Sequence, residues 1–156
     1  MIENNRIRFG DNIIAGKGFY CEALTDRKEP GPMIIIGDGT SFGHDCIIAA
    51  ANSVIIGEKV LVSCNVFIAD TQHEYRDVRI PIINQGNTEP RCRVSIGDGS
   101  WIGANAVILC ASVGKQSVVG ANAVVLKDVP DYCVAVGNPA KVIKTYDFNK
   151  ERWVRV

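Results

Sequence analysis

Aliphatic residues followed by a small one return every six positions along much of the chain: Ile36-Gly37, Phe42-Gly43 and Ile48-Ala49, then Ile56-Gly57, Val62-Ser63 and Ile68-Ala69. The beat resumes at Ile96-Gly97, Ile102-Gly103 and Ile108, and again at Val113-Gly114, Val119-Gly120 and Val125. Two residues before nearly every anchor stands a small or β-branched residue, such as Ile34, Thr40, Cys46, Val60, Ser100 or Ser117. A period of six matches neither the turn of a helix nor the plain alternation of a strand, but it suits short strands separated by bends where Gly takes positive φ. Three such hexads make a coil of about eighteen residues, and coils stacked at about 4.8 Å form a triangular prism with an aliphatic interior. Regular coils are therefore predicted over 34–69 and 94–126.

Breaks in the beat predict where the chain departs from the prism. Ile48 and Ile56 are eight positions apart and Ile108 and Val113 five, so a corner is altered at each of these coil boundaries. Ile68 and Ile96 are 28 apart, which predicts an excursion over 70–95 carrying Asp70, His73, Glu74, Tyr75, Arg76, Asp77 and Arg79. Loops that leave a rigid scaffold are where binding and catalytic groups concentrate. Residues 1–33 keep the beat only at Phe9-Gly10 and Ile14-Ala15, and 17–33 reads as a second irregular loop. After Val125 the repeat is expected to give way to a C-terminal segment and tail, 127–156. The whole of 1–156 reads as one all-β domain.

Composition narrows the function classes. Among 156 residues, 17 Lys+Arg balance 17 Asp+Glu, which argues against a polybasic surface for nucleic acid or membrane. At 47% hydrophobic and 22% charged the chain is a folded one. No apolar run approaches the roughly 18 to 20 residues of a membrane helix, and Met1-Ile2-Glu3-Asn4-Asn5 opens no signal-peptide stretch, so the expectation is a protein that stays in the cytosol. Six cysteines lack any C-x-x-C spacing and are expected to be free thiols there. There is no P-loop motif for ATP.

Only two histidines are present. His73 is either a solvated loop residue or a general base, since imidazole with a pKa near 6.5 accepts a hydroxyl proton without being mostly charged beforehand. Asp70, three residues earlier, is a candidate to orient it. His44 is either a surface corner residue or part of an acceptor pocket. Asn65 suits a left-handed turn. Lys141 and Lys144 are either solvated or a pair of charge-assisted donors for phosphate. Cys46 falls on an inward position and is expected to pack in the core.

The hexad pattern resembles the hexapeptide-repeat left-handed parallel β-helix. Asn65-Val66-Phe67-Ile68-Ala69-Asp70-Thr71-Gln72-His73 resembles the stretch of the galactoside, maltose and nodulation-factor O-acetyltransferases that ends in their catalytic histidine. Val94-Ser95-Ile96-Gly97-Asp98-Gly99-Ser100-Trp101-Ile102-Gly103-Ala104-Asn105 is similar to their second signature, and Gly120 to Pro130 with Gly137-Asn138-Pro139-Ala140-Lys141 to their third. The resemblance implies acetyl-CoA-dependent acetyl transfer to a hydroxyl of a sugar or glycan precursor, with no metal, as in the short bacterial enzymes of surface-polysaccharide synthesis. It implies His73 as general base, the backbone N–H of Ala104 as oxyanion donor, and Trp101, Ala121, Lys127, Lys141 and Lys144 along the cofactor. Asn65, Asp70 and His44 are candidate acceptor contacts. Gly43 stands where the galactoside enzymes carry a sugar-binding asparagine. Relatives form homotrimers with active sites between adjacent subunits.

Three other readings stay open on the sequence. The same base and cofactor groove could N-acetylate an amino sugar or nucleotide sugar. A γ-type carbonic anhydrase shares the prism but holds zinc with three histidines, one more than this chain has. A non-catalytic β-helix scaffold would need neither the excursion nor the lysines.

Overall fold

The structure is a computed structural model and describes residues 6–24, 30–88 and 92–156. The N-terminal pentapeptide and parts of the two expected loops, 25–29 and 89–91, lie outside the described residues.

Each coil lays one short strand on each of three faces. The first coil contributes β1 (Ile7–Phe9), β2 (Ile14–Ala15) and β3 (Tyr20–Ala23), and the second β4 (Ile34–Ile36), β5 (Ser41–Phe42) and β6 (Ile47–Ala50). The third contributes β7 (Ser53–Ile56), β8 (Leu61–Val62) and β9 (Phe67–Ala69), and the fourth, after the excursion, β10 (Arg93–Ile96), β11 (Trp101–Ile102) and β12 (Val107–Leu109). Val113, β13 (Val118–Val119) and β14 (Val124–Val125) complete a fifth. Face one stacks β1-β4-β7-β10, face two runs from β2 through β5, β8 and β11 to β13, and face three stacks β3-β6-β9-β12-β14, all in parallel. The fold is a left-handed parallel β-helix. Among the described residues, one 3-10 turn at Ile82–Asn84 is the helical content, and no helix is long and apolar enough to cross a membrane.

The hexad anchors are the core. Ile36, Ile48, Ile56, Ile68, Ile102 and Ile108 are each at most 1% exposed, in register across the stacked coils. The positions two residues earlier also point inward. There, three buried hydroxyls bond corner carbonyls: Thr40 Oγ1 donates to Gly57 O (2.8 Å), Ser100 Oγ to Gly114 O (2.8 Å) and Ser117 Oγ to Pro130 O (2.7 Å). A buried hydroxyl without such a partner would cost about 1–3 kcal/mol, so these are the inward places where a polar side chain is tolerated. Cys46 is likewise buried in the core, as expected.

Two sequence expectations need correction. Residues 7–23 form a full first coil, including β3 inside the stretch read as an irregular loop: the anchors are Phe9, Ala15 and Cys21, in register with Ile36, Phe42 and Ile48, and the beat is faint because Ala15 and Cys21 are small, while Ile14, expected as an anchor, points outward at 66% exposed. The repeat also continues past Val125. Val129 pairs with Val113 on face one, and β15 (Cys133–Val136) pairs in parallel with β13 on face two, burying Cys133 and Ala135. The tail then reverses as an antiparallel hairpin, β16 (Lys141–Asp147) and β17 (Arg152–Arg155), which extends face two. Rings of Tyr132, Tyr146, Phe148 and Trp153 meet edge to face at its far end, with centroids 4.9, 5.0 and 5.5 Å apart.

Replacing Ile102, fully buried in the middle of face two, with Ala should destabilise the fold by about 2–5 kcal/mol in urea denaturation.

Candidate active site

The excursion starts where the third coil should turn its last corner. Instead, the fully buried Asp70 carboxylate reaches back to the preceding coil and accepts the backbone N–H groups of Ala51 (2.6 Å), Asn52 (2.8 Å) and Ser53 (2.5 Å). This corrects its reading as an orienting partner of His73: both carboxylate oxygens are engaged by the corner, and Asp70 also borders the cavity described below. The returning limb is fastened beside it. Asn52 Nδ2 donates to Cys92 O (2.9 Å), and Cys92 forms a disulfide with Cys110. The expectation of six free thiols is thereby corrected, with Cys21, Cys46, Cys64 and Cys133 free. The signal was the separation of 18, which is one coil, so the two positions stack with Cα atoms 5.3 Å apart. Burial pushes the Cys21 thiol up to about 12.

Beyond the neck, the two limbs pair as an antiparallel ribbon. Glu74 N–H donates to Gly86 O (2.9 Å), Thr88 N–H to Gln72 O (2.8 Å), and His73 faces Asn87 across the bridge. Thr88 Oγ1 adds a bond to the His73 carbonyl (3.3 Å). The backbone of His73 is thus fixed while its side chain stays exposed, with no hydrogen-bond partner among the described residues. A cavity of 240 Å³ lies beneath the ribbon, lined by Thr71, Gln72, Glu74, Thr88 and the disulfide. Thr71 Oγ1 is buried there without a partner among the described residues. His73 is not among the lining residues, although Thr71 and Gln72 before it and Glu74, Tyr75 and Arg76 after it are. Glu74 is clasped by the Arg76 guanidinium, which holds its carboxyl down to about 2.

The corner between faces two and three gathers a second set of residues. Asn65, Asn105 and Asn122 stack there with φ of 57°, 59° and 59°, a left-handed geometry that Asn tolerates. Their amides form a ladder, Asn65 Nδ2 to Asn105 Oδ1 and Asn105 Nδ2 to Asn122 Oδ1, each 3.2 Å. Asn65 therefore serves the turn. The carbonyl of Ala104 accepts the N–H of Asn122 (2.9 Å), whereas the Ala104 N–H has no acceptor among the described residues. Ala121 follows one coil on, and Gly103 is needed there: a Cβ would lie 2.5 Å from the Ala121 nitrogen. His44 sits at the same corner, exposed, its Nδ1 accepting the Lys17 N–H (3.0 Å).

Trp101 stands on the outer side of face two, 48% exposed, with Nε1 donating to Ser63 Oγ (3.1 Å), a partner the sequence did not reveal. Register places Leu61, Trp101, Val118, Val134 and Lys144 in one column across that face. Residues three apart in a strand should point to opposite sides. Here the register shifts between Val134 and Ala135, so Lys144 pairs with Val134 and Lys141 with Val136, which puts both lysines on the outer side. Lys127 is exposed after β14, at the corner between faces three and one.

Trp101, Ala104, Ala121, Lys141 and Lys144 thus share face two or its corner with face three, and His73 does not join them. It hangs from the opposite edge of face three, beyond β9. Among the described residues, no three His, Cys, Asp or Glu side chains converge as a metal site.

Known proteins resemble this chain in sequence and fold. A family model described as "Hexapeptide repeat of succinyl-transferase" matches residues 33–69 and 93–127. The chain is 32% identical over 154 residues to the Escherichia coli protein "Putative lipopolysaccharide biosynthesis O-acetyl transferase WbbJ", covering 94% of this chain and 76% of that one. It is 36% identical over 116 residues to "Probable acetyltransferase Rv3034c" of Mycobacterium tuberculosis, covering 74% of this chain but only 38% of that protein's length. The solved structure of a galactoside acetyltransferase in complex with coenzyme A superposes with a TM-score of 0.76 at 27% identity, covering 93% of this chain and 68% of the other.

Replacing Asp70 with Asn keeps the shape but gives the corner a donor where it needs acceptors. A loss of about 1–3 kcal/mol is expected, with faster hydrogen exchange at Ala51, Asn52 and Ser53. The Glu74–Arg76 pair sets a pH window: its contribution is complete above the ordinary carboxylate value of 4.5 and fades as pH falls through about 2. In Arg76→Met, an NMR titration should return Glu74 toward 4.5.

Proposed function

The chain belongs to the hexapeptide-repeat acetyltransferases, and on that footing we propose that it transfers an acetyl group from acetyl-CoA to a hydroxyl of a sugar or glycan precursor, with His73 as general base. The observation that carries this reading is the His73 imidazole, exposed on a backbone-fixed ribbon with no competing partner among the described residues. A base that must approach an incoming hydroxyl needs that combination of fixed position and open access.

The acceptor oxygen attacks the thioester carbonyl while the imidazole takes its proton. The N–H of Ala104, which has no acceptor among the described residues, donates to the oxyanion that develops, an interaction worth on the order of 3 kcal/mol. The carbon–sulfur bond then breaks, and the imidazolium returns the proton to the departing thiolate, leaving an acetyl ester and free CoA. Trp101 offers its exposed ring to the pantetheine arm, with Ala121 beside it, and Lys141 and Lys144 meet the phosphates at the end of the same face. Lys127 is assigned the adenine end. The galactoside acetyltransferase complex supports coenzyme A as the common ligand, and the lipopolysaccharide relative supports a glycan acceptor.

Because His73 and Ala104 stand at opposite edges of face three in one prism, a complete site calls for a second copy of the chain. We assign the working state to a homotrimer in which each His73 meets the neighbour's face two.

His73→Ala should lower kcat by about 10²- to 10⁴-fold with an unchanged melting curve. Near-normal turnover with hydroxyl acceptors would overturn the assignment. The Lys141→Ala, Lys144→Ala double variant should raise KM for acetyl-CoA about tenfold or more while kcat changes little, read by steady-state kinetics. Light scattering should give three times the chain mass.

A further inference from the structure

The ribbon that carries His73 is fastened to the prism on both sides of its neck by different chemistry. On the outgoing side the Asp70 carboxylate is buried and holds three backbone N–H groups. On the returning side stand the bond from Asn52 to the Cys92 carbonyl and the disulfide to Cys110. Cys110 occupies a left-handed corner position, φ 51°, and its N–H donates to Ala69 O (3.0 Å), so the bridge lands on the coil directly adjoining the start of the excursion. Both sulfur-bearing residues are half-buried and border the 240 Å³ cavity, opposite Thr71, Gln72 and Glu74 of the ribbon.

We propose that the Cys92–Cys110 disulfide is a positioning clamp for His73 that a dithiol reductant opens. The inference rests on the reading of His73 as the base. Two electrons and two protons pass from the dithiol to the bridge. The sulfur–sulfur bond breaks, Cys92 and Cys110 become thiols, and the reductant leaves as its own disulfide. The prism survives this change, because β10 stays bonded to β7 and β12 to β9 and β14 independently of the bridge. Opening the bridge frees two side chains in the wall of the cavity that Thr71, Gln72 and Glu74 also line, and the residues on either side of His73 relax into the space so released. Trp101, Ala104, Lys141 and Lys144 lie on face two and its corner, away from the neck, so cofactor binding is untouched. A displacement of about 1 Å at a reacting group costs up to 10²-fold in rate, and the effect therefore falls on kcat.

The full chain, purified in air, is alkylated before and after dithiothreitol and mapped by mass spectrometry. Cys92 and Cys110 should be blocked before reduction and labelled after it. Transfer to simple methyl pyranosides, followed by loss of thioester absorbance, should show kcat about tenfold lower after reduction with KM for acetyl-CoA within about twofold. Cys92→Ser, Cys110→Ser and the double variant should each behave as the reduced protein and ignore the dithiol. In parallel, hydrogen exchange at Glu74 and Thr88 should speed up on reduction, and the His73 imidazole resonance should shift while that of His44, the other histidine, stays put. Thiols labelled before reduction, or equal kcat in both states, overturn the proposal. Unchanged exchange at the ribbon overturns the clamp whatever His73→Ala does, whereas a fully active His73→Ala with a loosened ribbon removes the base and leaves the clamp standing.

Discussion

Backbone hydrogen bonds along the prism axis, from each coil to the next, impose one spacing on every part of the molecule. They demand that equivalent residues stack at the distance between paired strands, about 4.8 Å, all the way round each turn. Flat faces satisfy this easily, so the sequence restriction is concentrated at the corners. There the backbone must bend within one or two residues, and a side chain is admitted only if it follows the bend or bonds to the next layer. The Asn65–Asn105–Asn122 ladder meets the second condition, and Gly103 meets the first by having no Cβ at all. Inside the prism the same rule selects Thr40, Ser100 and Ser117, whose hydroxyls bond the corner carbonyls of the neighbouring coil.

The candidate base and the paired lysines occur where that regularity is interrupted. At Asp70 the stack is held by a carboxylate instead of a corner, and the chain is released to carry His73 outward. At the register shift beside Val134 the last strands slip by a residue, and two lysines that alternation would separate come to one side. Unbroken hexads build the column beneath Trp101; the interruptions decide what is presented at its ends. Rigid periodicity and local irregularity therefore have separate tasks.

This division also explains what could be read from residues alone. The anchors Ile36 to Val125 repeat, and repetition is visible without coordinates, so the coils and the excursion were legible as such. Events that occur once were not. The first coil hid because Ala15 and Cys21 stand where large aliphatics mark the other coils, and the continuation past Val125 hid because Val129 follows it by a shortened corner before Ala135 restores the beat. Asp70 looked like a neighbour of His73 because it is near in sequence, yet its contacts run to the coil before it. The separation of 18 between Cys92 and Cys110 matches no short metal or redox motif, and only the length of a coil makes the two neighbours. Within the candidate site, Trp101 and Ala104 were locatable from their motif, while the common side of Lys141 and Lys144 depends on a register shift that composition does not encode.

The neck of the excursion has a wider meaning. Strands β7 and β10 pair in full register although the chain between β9 and β10 wanders outside the prism, so the layers close beneath the departure as if nothing were inserted. Closing a loop becomes costlier only slowly with its length, by about 0.6 kcal/mol per doubling. Asp70 and Cys92 thereby frame a socket into which segments of different size and composition could be set without disturbing the stack. One scaffold can in this way carry cassettes of different shape at a single point of insertion.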